Sequence, residues 1–182
     1  EYGEKVTLHD NGIWQYYKES SENSSIRTNN KKFNKSYYAD FMLKSKKANI
    51  GIWINKDKWN FKRLTSGDAE YEFDFKNGDL YGQAIIEETS IPIATLSKIA
   101  LDNAKQVSQD AKIVKSEYRT VNGLDVLLMR INGTIEGVKF SYYTYYYSND
   151  SGTIQLITYS SNNLIDKYID DCEEFLNGIT EY

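Results

Sequence analysis

The sequence predicts an α+β domain, a central antiparallel β-sheet flanked by two main helices and preceded by an N-terminal β arm. Three observations carry that expectation. Extended runs whose apolar residues alternate with polar ones recur along most of the chain. Asn-Gly pairs at Asn77-Gly78, Asn122-Gly123 and Asn132-Gly133 punctuate them as hairpin turns do. Two stretches, near residues 90–107 and 163–177, instead repeat their apolar residues at three and four positions.

The arm comes first. Val6 to Leu8 and Ile13 to Tyr17 are short apolar runs separated by His9-Asp10-Asn11-Gly12, which reads as a hairpin. Residues 19–36 are dominated by Ser, Asn, Lys and Glu and read as a polar loop, because little apolar area offsets the entropy of ordering them. Residues 1–38 are therefore arm and loop, and 39–182 the sheet-and-helix domain. Strands follow at Asp40 to Leu43 and at Ile50 to Ile54, where Ile50, Ile52 and Ile54 share one face. Tyr71, Phe73 and Phe75 alternate with Glu70, Glu72 and Asp74, and Asn77-Gly78 returns the chain through a type I′ turn into Leu80 to Glu88. Ser90 is placed to cap a helix in which Ile93, Leu96, Ala100, Ala104 and Val107 form a stripe. Runs at 112–121, 124–132, 138–148 and 153–160 make an antiparallel meander, broken at Asn122-Gly123, at Asn132-Gly133 with Gly137, and at Asn149 to Gly152. A closing amphipathic helix from Asn163 to Asn177 carries Leu164, Ile165, Tyr168, Ile169, Cys172, Phe175 and Leu176 on one side, and Gly178 ends it.

Composition narrows the function. The 22 basic residues do not balance the 26 acidic ones, and a net charge of −4 gives no field to collect a phosphate backbone, so nucleic acid is not the expected partner. No apolar run approaches the roughly 20 residues that cross a bilayer. A single cysteine, Cys172, excludes an internal disulfide and a thiolate metal cluster. It sits on the apolar stripe of the last helix and reads as a core thiol. The single histidine, His9, lies beside Asp10 in a turn, where adjacent side chains seldom cooperate. Glu87-Glu88 point to opposite faces of a strand, and Lys76 interrupts the oxygen series Asp74, Asn77, Asp79 that a calcium loop would need. No catalytic residue, metal ligand or cofactor site is expected.

Tyrosine is the exception, with 16 in the chain and five between Tyr142 and Tyr147. Alternation puts Tyr143, Tyr145 and Tyr147 on one face and Phe140, Tyr142 and Tyr146 on the other. The row Tyr143, Tyr145, Tyr147 is either core under a helix or, if left open, a ligand-binding platform.

The order of elements resembles the superfamily of Mog1, PsbP and bacterial DcrB-like envelope proteins. Trp59 after an early strand, the Asn122-Gly123-Leu124 hairpin, and the long paired strands from Gly137 through Tyr159 before a terminal helix carry the likeness, which spans about residues 40–180. The proline that many members place before that tryptophan is missing from Lys56-Asp57-Lys58-Trp59. The resemblance implies a central sheet with flanking helices, and its envelope branch implies export, with a cytoplasmic location as the alternative. The expected function is a non-catalytic binding or accessory domain of the bacterial cell envelope that recognises an unidentified protein or small ligand through an aromatic sheet surface or its loops. The alternatives are a glycan-acting enzyme with two distant carboxylates, and a purely structural interaction domain.

Overall fold

The computed structural model describes residues 6–8, 14–16 and 26–182. The expected arm is present as β1 (Val6–Leu8) paired antiparallel with β2 (Trp14–Tyr16). The main sheet uses β3 (Arg27–Phe33), β6 (Trp59–Arg63), β7 (Ala69–Phe75), β8 (Tyr81–Glu87), β9 (Lys112–Val121), β10 (Leu124–Ile135), β11 (Val138–Asn149) and β12 (Gly152–Ser161), in the order β3-β9-β10-β11-β12-β8-β7-β6. A smaller sheet has the order β13-β5-β4, from β4 (Phe41–Lys44), β5 (Ile50–Ile54) and β13 (Ile179–Glu181).

The antiparallel, two-helix expectation is corrected in two places. The stretch read as polar loop supplies β3, which pairs parallel with β9 and makes the large sheet mixed. Its polar composition misleads because an edge strand buries little; of its seven residues only Phe33 is buried. The second helix is also short. A 3-10 turn (Ile165–Tyr168) precedes α2 (Ile169–Leu176), and Tyr168 at the junction has φ −101° and ψ 11° while its ring packs on Phe75. The first helix, α1 (Ile93–Val107), matches the stripe, although Pro92 and not Ser90 stands at its cap.

Turns set the register. Asn122 and Gly123 both have positive φ (50° and 85°), as a type I′ turn requires. The β10–β11 turn is Glu136-Gly137 (50° and 82°), not Asn132-Gly133, which lies inside β10 with Ser108 where a larger side chain would go. At Asn77-Gly78 the connection is wider than a two-residue turn: Phe75 N–H donates to the Leu80 carbonyl at 3.0 Å and Asn77 keeps a negative φ. Gly178 is required by close approach, since a Cβ there would collide with the Trp53 carbonyl. Asn122 also pins the chain. Its side-chain oxygen accepts the Lys35 N–H at 2.9 Å, and its amide donates to the Asn177 and Ile179 carbonyls at 2.7 and 2.8 Å.

The large sheet buries its two faces differently. One is closed by α2 and the small sheet, with Ile50, Ile52, Ile54, Leu128, Tyr145 and Leu156 in a single core. Phe175 docks α2 onto Trp59 and Phe73, with ring centroids 4.5 and 4.8 Å apart. The other face carries α1, which packs on β10 and β11 and covers Leu127, Met129 and Tyr146.

Under α2 lies Arg119, 4% exposed. Its Nε donates to Glu117 at 2.6 Å, its Nη1 to Glu173 and to the Tyr145 hydroxyl at 2.9 Å each, and its Nη2 to the Tyr143 hydroxyl at 3.4 Å. The guanidinium lies 4.4 Å from the Phe33 ring centroid. Asn29 on β3 donates to the same Glu117 oxygen at 3.3 Å. Burial alone would raise the Glu117 carboxyl, but hydrogen bonds from Arg119 and Asn29 outweigh it and hold it below its ordinary value.

These contacts generate three predictions. Arg119→Met removes the cation that pairs with Glu117 and Glu173, while the Tyr143 and Tyr145 hydroxyls keep their acceptors, and lowers the unfolding free energy in urea by about 3 kcal/mol, the low end for a broken buried pair because Glu173 keeps some water. A depressed carboxyl stabilises above its unfolded pKa and loses that contribution as pH falls through the folded value, so the urea midpoint drops as pH falls below the ordinary glutamate value of about 4.5, and Arg119→Met flattens that drop. Asn122→Gly keeps the turn but loses the pin, costing about 1–2 kcal/mol, whereas Asn122→Asp costs more at neutral pH because it turns a carboxylate toward two carbonyls.

Candidate functional site

The sequence-predicted row is not an open platform. Tyr143, Tyr145 and Tyr147 are 1%, 0% and 8% exposed and lie beneath α2 and the small sheet. Their hydroxyls end on fixed acceptors: Tyr143 donates to Glu173 at 2.7 Å, Tyr145 to Asn177 at 3.0 Å and Tyr147 to Glu181 at 2.6 Å. Burial pushes the Tyr145 hydroxyl up to about 12 against the pull of Arg119. These three rings are core, the other of the two outcomes that alternation left open.

The opposite face holds a second set. Because α1 packs on β10 and β11, the face of β12, β8 and β7 beyond it is left half-exposed. There Tyr142, Tyr159 and Tyr81 stand directly opposite one another on β11, β12 and β8. Ring centroids are 5.8 Å apart for Tyr142 and Tyr159, and 5.6 Å for Tyr159 and Tyr81, with interplanar angles of 37° and 27°. This cross-strand ladder begins at the margin of α1 and ends at Tyr81, 40% exposed. Asp74 is the next residue of the row and Asn60 the one after, while the adjacent row runs Ile157, Gln83, Glu72, Lys62. Burial raises the Tyr159 pKa, and Tyr142, Glu72 and Asp74 add to it, so the phenol stays a neutral hydrogen-bond donor beside carboxylates.

Each tyrosine offers rigid apolar area with two side-chain torsions to fix and a hydroxyl at the end, a combination suited to recognition. The register from the β11–β12 turn was the signal for half of this ladder. Asn149 pairs with Gly152, and counting back along both strands brings Tyr142 opposite Tyr159. Tyr81 joins through a non-local pairing of β8 with β12.

The remaining candidates are spoken for. Cys172 is buried and burial pushes its thiol up to about 12, so it is an inert core group. Asp171 and Glu174 hold Lys58 at 2.8 and 2.5 Å. His9 lies outside the described residues. Among the described residues, no three His, Cys, Asp or Glu side chains gather as metal ligands do.

No protein-family model matches the chain, and no curated protein matches it in sequence. Solved structures do. Cyanobacterial PsbP (CyanoP) from Synechocystis superposes with a TM-score of 0.58 at 12% identity over 78% of this chain and 92% of that one. LpqN of Mycobacterium tuberculosis, described as involved in cell envelope biogenesis, gives 0.53 at 13% identity, covering 72% and 82% of the two chains. PA94 of Pseudomonas aeruginosa, a protein of unknown function described as a putative regulator, gives 0.50 at 12% identity, covering 78% and 96%. Through an order of strands and helices that survives at such low identity, the chain shares the fold of the PsbP, Mog1 and DcrB-like proteins.

Proposed function

We propose that this chain is a non-catalytic binding domain, an accessory domain of the cell envelope, that recognises a protein partner through the open half of its large sheet. The observation that carries the reading is the ladder Tyr142, Tyr159, Tyr81, set in register on the part of the face that α1 leaves uncovered. Glu72 and Asp74 at its margin favour a partner that presents Lys or Arg side chains against the rings and carboxylates. The envelope setting is supported by LpqN, which shares the fold and is described as involved in cell envelope biogenesis.

A second reading, a glycan-acting enzyme, rests on one specific feature. Glu72 and Asp74 are two residues apart on one face of β7. Such side chains stand roughly 7 Å apart along a strand, within the spacing used by paired carboxylates on sugars.

Titration of the isotope-labelled protein with an arginine-rich hexapeptide, and separately with a chito-tetraose, distinguishes the readings. The peptide is expected to shift amide resonances around Tyr142, Tyr159 and Tyr81. Tyr159→Ala, shown to be folded by its spectrum, is expected to weaken that binding by about tenfold. Equal affinity in Tyr159→Ala, or shifts confined to other surfaces, removes the ladder as the binding face. Cleavage of the tetraose, lost in Glu72→Gln or Asp74→Asn, would replace the binding reading by the enzymatic one.

A further inference from the structure

The two sheets end side by side. β4 is the last strand of the small sheet and β6 the last of the large one. Their edges are tied at one end by Phe41 stacked on Phe61, centroids 5.5 Å apart. At the other end the Tyr71 hydroxyl, at 2.8 Å, and Arg63 Nη2 both donate to the Lys44 carbonyl. The register explains why that carbonyl is available. Ser45 N–H bonds to Ile50, so the alternate residues Met42 and Lys44 direct their backbone groups away from β5.

Between the edges is a shallow cleft of about 570 Å3, open to solvent along much of its length. Met42, Phe61 and Tyr71 give it an apolar wall, and Lys44, Lys46 and Arg63 give it three cations. One carboxylate faces them. Glu70, 5% exposed, lies 3.5 Å from Arg63 and is already filled by the Ser45 hydroxyl at 2.6 Å and the Lys46 backbone N–H at 2.9 Å. Lys44 Nζ rests 4.3 Å from the Tyr182 ring, and among the described residues neither it nor Lys46 Nζ has a carboxylate partner. Among the described residues Arg63 bonds through Nη2 alone, and its Nε and Nη1 donors have no protein partner. A chain of net charge −4 thus concentrates unsatisfied positive charge at an apolar cleft.

We propose that the cleft is a second binding site, separate from the tyrosine ladder, and that it takes a small amphipathic carboxylate. The carboxylate meets the Arg63 Nε and Nη1 donors and the Lys46 ammonium, and a flat apolar body lies against Phe61 and Met42. Cation–carboxylate bonds of this kind are directional and roughly twice as strong as neutral ones, so the charge and not the hydrocarbon sets selectivity.

Two probes with the same body test this. 2-Naphthoate and its neutral amide, 2-naphthamide, are titrated into the isotope-labelled chain while the amides of residues 42–46 and 61–63 are followed. The expected result is saturable binding of naphthoate at those amides, with naphthamide at least about tenfold weaker. Lys44→Gln and Lys46→Gln alter exposed side chains that do not hold Glu70, so the fold is kept; each is expected to weaken naphthoate several-fold and leave naphthamide unchanged. Equal affinity for the two probes overturns the proposal. So does a naphthoate affinity that neither lysine variant moves, or the absence of shifts at the cleft.

Discussion

A charged guanidinium inside a protein needs oxygen around nearly all of its N–H groups, because no water is there to replace them. Arg119 meets that need from Glu117 on its own strand, Tyr143 and Tyr145 on β11, and Glu173 on α2, and it lies on the ring of Phe33 from β3. The constraint is mutual. Tyrosine hydroxyls buried under α2 would themselves be stranded without Arg119, Glu173 and Asn177. The last helix is thus placed by polar geometry as well as by Phe175, and the edge strand β3 is recruited through Asn29 and Phe33 despite its polar sequence.

That network decides which tyrosines are free to bind. Alternation divides the tyrosines of β11 between two faces, and the face with Arg119 spends its hydroxyls internally. On the other face, among the described residues, the covering helix is α1, which packs mainly on β10 and β11 of an eight-stranded sheet. The remainder must be polar enough to tolerate water and is: Gln83, Gln155, Glu72 and Asp74 share it with Tyr142, Tyr159 and Tyr81. Tyrosine is among the few side chains that can occupy the margin between covered and open sheet, apolar in body and wet at its tip.

Local signals were legible and non-local ones were not. The α1 stripe, the alternation of Ile50, Ile52 and Ile54, and the Asn122-Gly123 turn all follow from periods and dihedral demands that act within a few residues. Asn132-Gly133 looked like a turn because the pair tolerates positive φ, yet its place inside β10 is set by Ser108 packing from the far end of α1. The strand β3 was hidden because its pairing energy comes from the open edge of β9, some ninety residues away, and not from its own side chains. The division of the tyrosines by face was readable, while which face would be covered depended on where α2 docks. The ladder needed the β8–β12 pairing, and the cleft needed two sheet edges to meet.

A fold shared at 12–13% identity by proteins described in as different terms as CyanoP, LpqN and PA94 dictates a core and not a role. What belongs to this chain is therefore best sought where the fold makes no demand. The core face tolerates any close-packed apolar set, and here that set includes a buried ion network that stabilises without being accessible. The ladder and the cleft differ in kind: neither is required to close the core, and each leaves polar groups facing water. They also differ in local charge, with carboxylates beside the tyrosines and, between β4 and β6, lysines that have no carboxylate partner among the described residues. Strong charges of opposite sign on one small domain attract and neutralise each other unless the scaffold holds them apart. The sheet holds them apart only in part: Lys62 of β6 stands opposite Glu72 on the open face, and Glu70 faces the bases of the cleft, where Lys44, Lys46 and Arg63 outnumber it.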